Sequence, residues 1–225
     1  MCGRYALYGP ISRHRKDEIL EFAFLDRMIP FVPHYNAAPS QYLPVYRSDP
    51  ERGRELVPLK WGLIPFWAKD ASIGVKLINA RSETVNEKPA FRAAFRHRRC
   101  LVPANGFYEW QALPDGKQPH YITVPTVGVI AFAGLWESWT NKESGEVIDS
   151  FTILTCEANK LISQLHERMP VILKEQDYSA WLSGSISEAA NLMKPFPAED
   201  MLTYFVSKKV NRASYDAPEL IERVE

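Results

Sequence analysis

Short runs of apolar and β-branched residues, bounded by prolines, glycines and polar turn residues, dominate the hydrophobic pattern of this chain. Runs of this length and composition are typical of β-strands. Two dipeptides between such runs, Asp115-Gly116 and Ser144-Gly145, have the composition of hairpin turns. The pattern predicts strands at residues 42–46, 56–63, 77–81, 100–102, 106–111, 120–124, 128–139, 150–155 and 202–206.

Helical periodicity is confined to a few segments in which apolar residues recur at intervals of three and four. In one of these segments, Leu161, Ile162 and Leu165 are expected to face the core. The predicted helices cover residues 18–25, 158–166, 176–182 and 187–193.

The order of these elements indicates the fold class. Strands are spread along the chain and do not alternate regularly with helices, which disfavours a doubly wound parallel sheet and favours an α+β fold with peripheral helices. The chain of 225 residues contains no repeat, no low-complexity tract and no obvious linker. A single domain spanning residues 1–225 is therefore predicted.

Composition narrows the class of protein. Hydrophobic residues at 46% and aromatic residues at 12% indicate a globular protein with a substantial core. Because the chain contains no apolar run of about 18 residues, we expect no membrane span. The three cysteines, Cys2, Cys100 and Cys156, form no CxxC pair and cannot all be in disulfides. This pattern favours a reducing cytoplasm and argues against a zinc site.

A formal net charge of zero conceals an uneven distribution of charge. Residues 1–100 contain 17 Lys and Arg against 10 Asp and Glu, and residues 101–225 contain 10 against 17. Such an asymmetry is compatible with one basic face. Arg92, Arg96 and Arg99 would share one face of a helix. A nucleic-acid-binding surface and an ordinary solvated amphipathic helix explain this stretch equally well.

Cys2 directly follows the initiator methionine, and this position gives it a distinctive chemistry. Removal of Met1 leaves an α-amine with a pKa of about 7.7–8.0 beside a thiol with a pKa of about 8.5. The thiolate can attack an acyl carbon with the amine as its base. Alternatively, the amine can condense with an aldehyde to an imine, and the thiol can then close a thiazolidine. An incidental cysteine on a frayed terminus is the third interpretation.

Aromatic residues cluster where a loop is expected. Trp61, Phe66 and Trp67 surround a Gly and a Pro. Aromatic side chains on a loop can form a stacking platform for unpaired bases, with each stack contributing roughly 1–3 kcal/mol. Burial in the core is the alternative explanation.

Polar residues in three other segments are candidates for chemistry. Asn79 and Arg81 should face the same side of a strand. Glu109 lies between aromatic residues, which makes it a candidate general acid, although an outward-facing strand residue would have the same pattern. His166 follows a predicted helix, where a capping or structural histidine is the simpler interpretation.

Taken together, six motifs in register resemble the SOS-response-associated peptidase (SRAP) family of abasic-site processing proteins. Each motif alone is weak, but their order is highly specific, and the resemblance extends to about Ile221. One departure is Asn105, where many members have Asp. The motifs are Met1-Cys2-Gly3-Arg4-Tyr5, Tyr35-Asn36-Ala37-Ala38-Pro39, Trp61-Gly62-Leu63-Ile64-Pro65, Ile78-Asn79-Ala80-Arg81-Ser82-Glu83-Thr84, Gly106-Phe107-Tyr108-Glu109-Trp110 and His166-Glu167-Arg168-Met169-Pro170.

The resemblance implies a single SRAP domain with a central β-barrel-like core that binds single-stranded DNA in a basic groove. The implied substrate is the abasic site, whose ring-opened sugar carries an aldehyde. Self-removal of Met1, abasic-site lyase activity and slow release of the adduct are possible further activities. The resemblance implies no metal and no cofactor, and we expect a monomer.

The resemblance also assigns roles to individual residues. Cys2 would form the covalent bond, Glu109 and His166 would transfer protons, and Asn79 would hold the Cys2 backbone or the opened sugar. The implied DNA-binding residues are Arg4, Asn36, Pro39, Trp61, Phe66, Trp67, Arg81, Thr155 and Arg168.

Two other classes of function compete with this one. An N-terminal-nucleophile cysteine peptidase or amidohydrolase would use Cys2 as acyl acceptor with a backbone oxyanion hole. Such an enzyme has no evident need for Arg4 and Arg81 beside its nucleophile, whereas a phosphate-bearing substrate does. In a non-catalytic module for single-stranded DNA, Cys2 would be dispensable.

Overall fold

Two antiparallel-rich sheets form most of the computed structural model, which describes residues 2–9, 32–49, 53–114 and 116–225. The predicted helix at 18–25 lies outside the described residues, as does Asp115 of one predicted turn. The strands are β1 (Tyr5–Leu7), β2 (His34–Ala37), β3 (Tyr42–Asp49), β4 (Gly53–Trp61), β5 (Asn79–Arg81), β6 (Arg99–Ala104), β7 (Gly106–Leu113), β8 (Gly116–Thr123), β9 (Ile130–Thr140), β10 (Val147–Glu157), β11 (Arg168–Pro170), β12 (Ile172–Leu173) and β13 (Leu202–Phe205).

One sheet closes on itself as a five-stranded barrel. Its strands pair in the order β10-β4-β3-β6-β9, and β9 pairs back with β10. Four of the five strand pairs are antiparallel. The fifth, between β4 and β10, is parallel, with Lys60 opposite Ser150. Strands β5, β11 and β12 extend the barrel at its margins. Closure leaves the five barrel strands without free edges.

The second sheet has five strands in the order β13-β8-β7-β1-β2. Strand β1 is an interior strand of this sheet and pairs antiparallel with both β2 and β7, so Tyr5 lies between Ala37 and Phe107. The two sheets share one hydrophobic core, in which Tyr5 packs against Trp61 with ring centroids 5.2 Å apart. The predicted α+β fold with a β-barrel core is confirmed.

Within the part of the chain that the structure describes, the α-helices are short and peripheral. They are α1 (Arg92–His97), α2 (Tyr178–Ser183) and α3 (Ile186–Leu192). A capping box starts α3, in which Ser185 and Glu188 bond reciprocally to each other's backbone N–H groups. Within the described ranges, no helix has the length and apolar composition needed to cross a membrane.

The predicted helix at 158–166 is wrong, because only a 3-10 turn at Ile162–Gln164 forms there. The Asn159 side-chain oxygen accepts hydrogen bonds from the backbone N–H groups of Leu161 and Ile162. These bonds cap the turn at its N-terminal end, and the chain must then return so that Arg168 pairs with Glu157. Ile162 is nevertheless buried, as the helical pattern required.

The helical face predicted to carry Arg92, Arg96 and Arg99 contains only two of these three arginines. Helix α1 ends at His97, and Arg99 belongs to β6, where it is buried. The Arg99 guanidinium donates hydrogen bonds to backbone carbonyls of Phe95, Trp181 and Gly184. Only Arg92 and Arg96 of the predicted face remain exposed.

The hydrophobic pattern did not predict several strands, because they are short and carry polar residues. No strand was predicted at residues 34–37, but His34–Ala37 pairs with β1 as a strand. Tyr5–Leu7 and Arg168–Pro170 are only three residues each. Their pairing depends on partners that are distant in the sequence.

A glycine at the end of β4 generates the first testable prediction. Gly62 has a φ of +122°, and a Cβ atom there would lie 2.5 Å from the Gly74 carbonyl oxygen. Gly145 also has a positive φ, +74°, but a Cβ atom there would meet nothing within 4 Å. We expect Gly145→Ala to cost about 1 kcal/mol of unfolding free energy and Gly62→Ala about 3 kcal/mol or more. Urea denaturation measures both, and equal losses would contradict the steric explanation.

Candidate active site

Cys2 lies at the entrance to β1 and is fully buried in the shared core. Its position is fixed by the strand that follows, because the Tyr108 N–H donates to the Arg4 carbonyl at 3.0 Å. The Cys2 thiol lies 3.9 Å from the same carbonyl oxygen. Burial, and secondarily the negative charge of Glu109, raises the pKa of the Cys2 thiol far above its usual range. The thiol is therefore protonated at neutral pH.

Glu109 is buried rather than outward-facing, with only 3% of its surface exposed. It lies on β7 two residues after Phe107, so both side chains point to the same face of the sheet. That face is the core side, since Phe107 packs against Phe132. The interpretation of Glu109 as an ordinary surface residue therefore does not hold, and its charge acts on Cys2.

His166 precedes β11 and has a defined ring orientation. Its Nδ1 accepts a hydrogen bond from the Arg168 backbone N–H at 2.9 Å. Because Nδ1 is an acceptor, the neutral imidazole carries its proton on Nε2. A backbone contact thus selects one tautomer.

Glu109 and His166 line the same cleft, which has a volume of about 390 Å³. Glu109 comes from the five-stranded sheet, and His166 comes from the segment that leads into β11 of the barrel sheet. The cleft therefore contacts both sheets. Trp110, Lys117 and Asn211 complete its lining, and the Trp110 indole donates to Asn211 Oδ1 at 2.6 Å.

Asn79 begins β5 and lies opposite Ile153 of β10. Its amide nitrogen donates to the Ile153 carbonyl at 3.5 Å. Its Oδ1 is buried and accepts no hydrogen bond from any described residue. A buried acceptor without a donor costs roughly 1–3 kcal/mol, so the Asn79 Oδ1 is suited to accept a hydrogen bond from a ligand.

Arg81, Thr155 and Arg168 meet at the end of β10. Thr155 pairs with Arg81 on one side and with Pro170 on the other. The Arg168 guanidinium is nearly buried, donates to the Thr155 carbonyl at 2.6 Å and forms a two-pronged ion pair with Glu83 at 2.7 and 2.9 Å. This pairing lowers the pKa of Glu83. Arg81 alone of the three is exposed.

Arg4 and Asn36 hold the backbone of residues 210–215. The Arg4 guanidinium donates to Asn36 Oδ1 at 3.0 Å and to the Val210 carbonyl at 2.8 Å. The Asn36 amide nitrogen donates to the carbonyls of Val210, Arg212 and Tyr215 at 3.2, 3.1 and 2.8 Å. Asn36 has no exposed surface.

Trp61 belongs to the core and not to a stacking platform. It is 1% exposed, stacks on Phe151 and donates its indole N–H to the Ile78 carbonyl. Phe66 and Trp67, in contrast, are 58% and 48% exposed on the loop that follows β4. The predicted loop therefore presents two of its three aromatic side chains to solvent.

Burial corrects part of the predicted DNA interface. In this conformation, with Met1 part of the chain, a side chain without exposed surface is not open to a nucleic acid; this applies to three predicted contacts and also to Cys2. Arg168 is nearly as buried. Pro39 and Arg4 are half-buried, and Phe66, Trp67 and Arg81 are exposed. The three side chains without appreciable exposure are Asn36, Trp61 and Thr155.

The amide group of Asn105 explains why this position can carry Asn rather than Asp. Its Oδ1 accepts hydrogen bonds from the backbone N–H groups of Tyr8 and Gly9, at 2.8 and 3.1 Å. Its Nδ2 donates to the Gly128 carbonyl at 3.0 Å, which an ionised Asp could not do. The side chain thus fastens the end of β1 to the rest of the sheet.

Within the described residues, no group of three or more His, Cys, Asp or Glu side chains forms a site for a metal ion. All three cysteines are free and buried. Burial raises the pKa of the Cys156 thiol to about 12 and also raises that of Cys100.

Comparison with known proteins identifies the family. A family model described as SOS response associated peptidase (SRAP) matches residues 1–213. The chain belongs to the SRAP family. It is 42% identical to abasic site processing protein YoqW of Bacillus subtilis, and the match covers 99% of both chains. It is 30% identical to abasic site processing protein HMCES of Xenopus tropicalis over 86% of this chain and 67% of that protein.

A solved structure confirms that the SRAP fold extends over the chain. A crystal structure of a protein from Bacteroides thetaiotaomicron superposes with a TM-score of 0.86 at 27% identity, covering 100% of each chain. A protein from Bordetella bronchiseptica superposes with a TM-score of 0.74 at 25% identity, covering 92% of this chain and 100% of that one.

Sequence reasoning missed the residues that complete the SRAP cleft. Lys117 and Asn211 lie outside the six motifs, and Trp110 was noted only as a neighbour of Glu109. The cluster of Lys208, Lys209 and Arg212 was the one available signal, since it is a basic run within the acidic half of the chain.

The buried state of Cys2 generates a second prediction. With the chain folded and Met1 present, we expect iodoacetamide to alkylate Cys2 at pH 8 at least about tenfold more slowly than free cysteine. Because the folded-state pKa is raised, the rate should still be rising above pH 9. Peptide mapping by mass spectrometry would resolve Cys2 from the other two thiols.

Unfolding in urea is the control for this measurement and should restore the rate of free cysteine. A pH profile in the folded protein that levels off near pH 8.5 would contradict the environment described for Cys2.

Proposed function

We propose that this SRAP protein processes abasic sites in single-stranded DNA by forming a covalent bond to the lesion through Cys2, after removal of Met1. The observation that carries the proposal is the grouping of Cys2, Glu109 and His166. Glu109 acts electrostatically on Cys2 and lines one cleft with His166. The names of the curated relatives, which are abasic site processing proteins, support the same substrate.

The proposed chemistry proceeds in two steps. The α-amine of Cys2 attacks the C1′ aldehyde of the ring-opened sugar, and loss of water gives an imine. The thiol then adds across the C=N bond: sulfur bonds to C1′, the thiol proton ends on nitrogen, and a thiazolidine results.

The neighbouring residues supply proton transfer and positioning. In the proposed mechanism the Glu109 carboxylate first takes up a proton and then gives it to the sugar ring oxygen as the ring opens; general acid catalysis of this kind accelerates a reaction roughly 10²–10⁴-fold. His166, with Nδ1 held by the Arg168 backbone, exchanges protons through Nε2. Asn79 offers its buried Oδ1 to the Cys2 amine or to a sugar hydroxyl.

The exposed residues of the predicted interface would hold the DNA strand. Arg81 would neutralise a phosphate, and Phe66 and Trp67 would stack or wedge where the strand bends. Pro39 and Arg4 lie at the half-buried margin. Thr155 and Arg168 would act indirectly, by fixing the end of β10 beside Arg81.

The peptidase alternative is less well supported by the site. A peptidase has no evident need for an exposed guanidinium at the end of β5, where Arg81 lies, whereas a phosphate-bearing substrate gives that charge a partner. Abasic-site lyase activity remains a consistent side reaction, because an imine at C1′ activates β-elimination. Self-removal of Met1 belongs to the same proposal, as do a monomeric, cytoplasmic protein and a reaction without a cofactor.

The third prediction tests the covalent bond. With Met1 removed, the protein should form an adduct with abasic single-stranded DNA that survives denaturation, and none with intact DNA of the same sequence. Cys2→Ala keeps the amine, so borohydride should still trap an imine, but the stable adduct should be absent. Denaturing gels and intact mass measure both species. The same stable adduct in Cys2→Ala would exclude a thiazolidine.

The fourth prediction separates the two proton-transfer residues. Glu109→Gln keeps the shape of the side chain and should slow adduct formation by roughly 10²-fold or more. His166→Ala should act more strongly on later acid–base steps, including release of the adduct. Time courses of formation, and of release into excess competitor DNA, measure the two effects separately.

The exposed residue Lys142 provides a control for this pair, since it lies in the β9–β10 turn and Lys142→Ala should change neither rate. Wild-type rates of formation and release in both Glu109→Gln and His166→Ala would show that neither residue is catalytic.

A further inference from the structure

A basic segment near the end of the chain lies beside the active-site cleft. Residues 101–225 carry an excess of seven acidic residues, yet Lys208, Lys209 and Arg212 lie within five consecutive positions. All three side chains are exposed. None of the six SRAP motifs includes them.

This segment is firmly attached to the protein. Lys208–Asn211 forms a 3-10 helix that Ser207 caps by accepting from the Lys209 N–H. Val210 is fully buried and packs in a small core with Ala6, Tyr108 and Leu220.

The hydrogen bonds of Arg4 and Asn36 provide further attachment. Together the two side chains make four hydrogen bonds to the carbonyls of Val210, Arg212 and Tyr215. Fixing the backbone in this way limits the motion of the cationic side chains to their own rotamers, so that binding a ligand orders few additional groups.

The basic side chains line a cleft of their own. It has a volume of about 400 Å³ and is lined by Lys208, Lys209, Asn211, Arg212 and Tyr215. Asn211 also lines the cleft that contains Glu109 and His166. The two clefts are therefore neighbours, and Lys117 adds a further cation to the first.

The charges in this second cleft are available to a ligand. Lys209 lies 3.6 Å from Glu219, but both side chains are well exposed, and such pairs contribute about 0–1 kcal/mol. The nearby Asp216 is engaged elsewhere: it accepts hydrogen bonds from the backbone N–H groups of Tyr35 and Asn36. Lys209 also lies 5.4 Å from the centre of the Tyr215 ring.

We propose that the cleft formed by Lys208, Lys209 and Arg212 binds phosphates of the DNA strand on one side of the lesion. This inference rests on the proposed function and adds a second contact region to it. A nucleotide chain that leaves the reaction cleft past Asn211 meets these three cations next, and phosphodiester groups match their charge and exposure. In this arrangement, Arg4 and Asn36 contribute to DNA binding by holding the surface that contacts the phosphates.

The test uses binding of the full chain to a 15-nucleotide single strand that carries a tetrahydrofuran abasic analogue, which lacks an aldehyde and cannot crosslink. Each phosphate contact contributes about 0.7 to the slope of log K against log salt concentration for single strands. The triple variant Lys208→Ala/Lys209→Ala/Arg212→Ala should therefore flatten the slope by about 2. The matched control, Lys142→Ala/Lys174→Ala/Lys194→Ala, removes the same charge from exposed positions elsewhere and should flatten it by less than about 0.7.

A directional comparison makes the test sharper. Two further oligonucleotides carry the analogue at the 5′ end or at the 3′ end, so that only one flank remains. The triple variant should differ from wild type on one of them only. Lys208→Arg/Lys209→Arg should keep the wild-type slope because it keeps the charge.

Two results would overturn the inference. One is a triple variant whose salt slope matches that of the control variant. The other is an equal loss of slope on the strand with the analogue at its 5′ end and on the strand with the analogue at its 3′ end, which would indicate diffuse charge. Because the three side chains are exposed, the variants should keep the wild-type melting temperature. If Arg212→Ala lowers the melting temperature, the double variant Lys208→Ala/Lys209→Ala replaces the triple variant in the salt-slope measurement. Crosslinking of wild type to true abasic DNA is scored separately. An adduct with unchanged slopes refutes the second cleft only, and no adduct refutes the proposed function.

Discussion

Strand β1 is hydrogen-bonded along both of its edges, and the active site depends on this pairing. It has only three residues, but β2 and β7 hold it from either side, and Asn105 fastens the backbone just beyond its end. Cys2 therefore enters the core at a fixed depth beside Glu109 rather than at the end of a free terminus. A reactive group at a chain end would otherwise sample many positions, and orienting it would cost conformational entropy at each turnover.

Buried polar side chains connect this strand to the surfaces around it. Asn36 and Arg4 join it to the segment at 210–215, and Arg168 joins Glu83 to the end of β10. Groups buried in this way are costly to leave unpaired, so their partners are specified closely. They act as a framework that holds a smaller set of exposed residues in place. This explains why several motif residues have little or no surface of their own.

The hydrophobic pattern was sufficient for the long strands and for the fold class, because alternation and β-branched runs report directly on barrel strands such as β9 and β10. It failed for β1, β2 and β11, whose pairing depends on partners far away in the sequence. It also failed at 158–166, where the pairing of Glu157 with Arg168 requires the chain to turn back and only one short 3-10 turn forms. The motifs located the reactive groups, but burial could not be read from them. Trp61 and Trp67 have the same chemistry, but Trp61 ends β4 inside the core, whereas Trp67 lies on the exposed loop that follows.

The pairing of β1 with β7 also has a consequence for the newly made chain. Tyr5 lies opposite Phe107, so about one hundred residues must be synthesised before this edge of β1 finds its partner. At synthesis rates of about 5–20 residues per second, that delay is roughly 5–20 s. During this interval the amino terminus is not yet enclosed by β7, and enzymes that act on nascent chains can reach it. The pairing of β1 thus allows any processing of the terminus to precede its burial, although both concern the same few atoms.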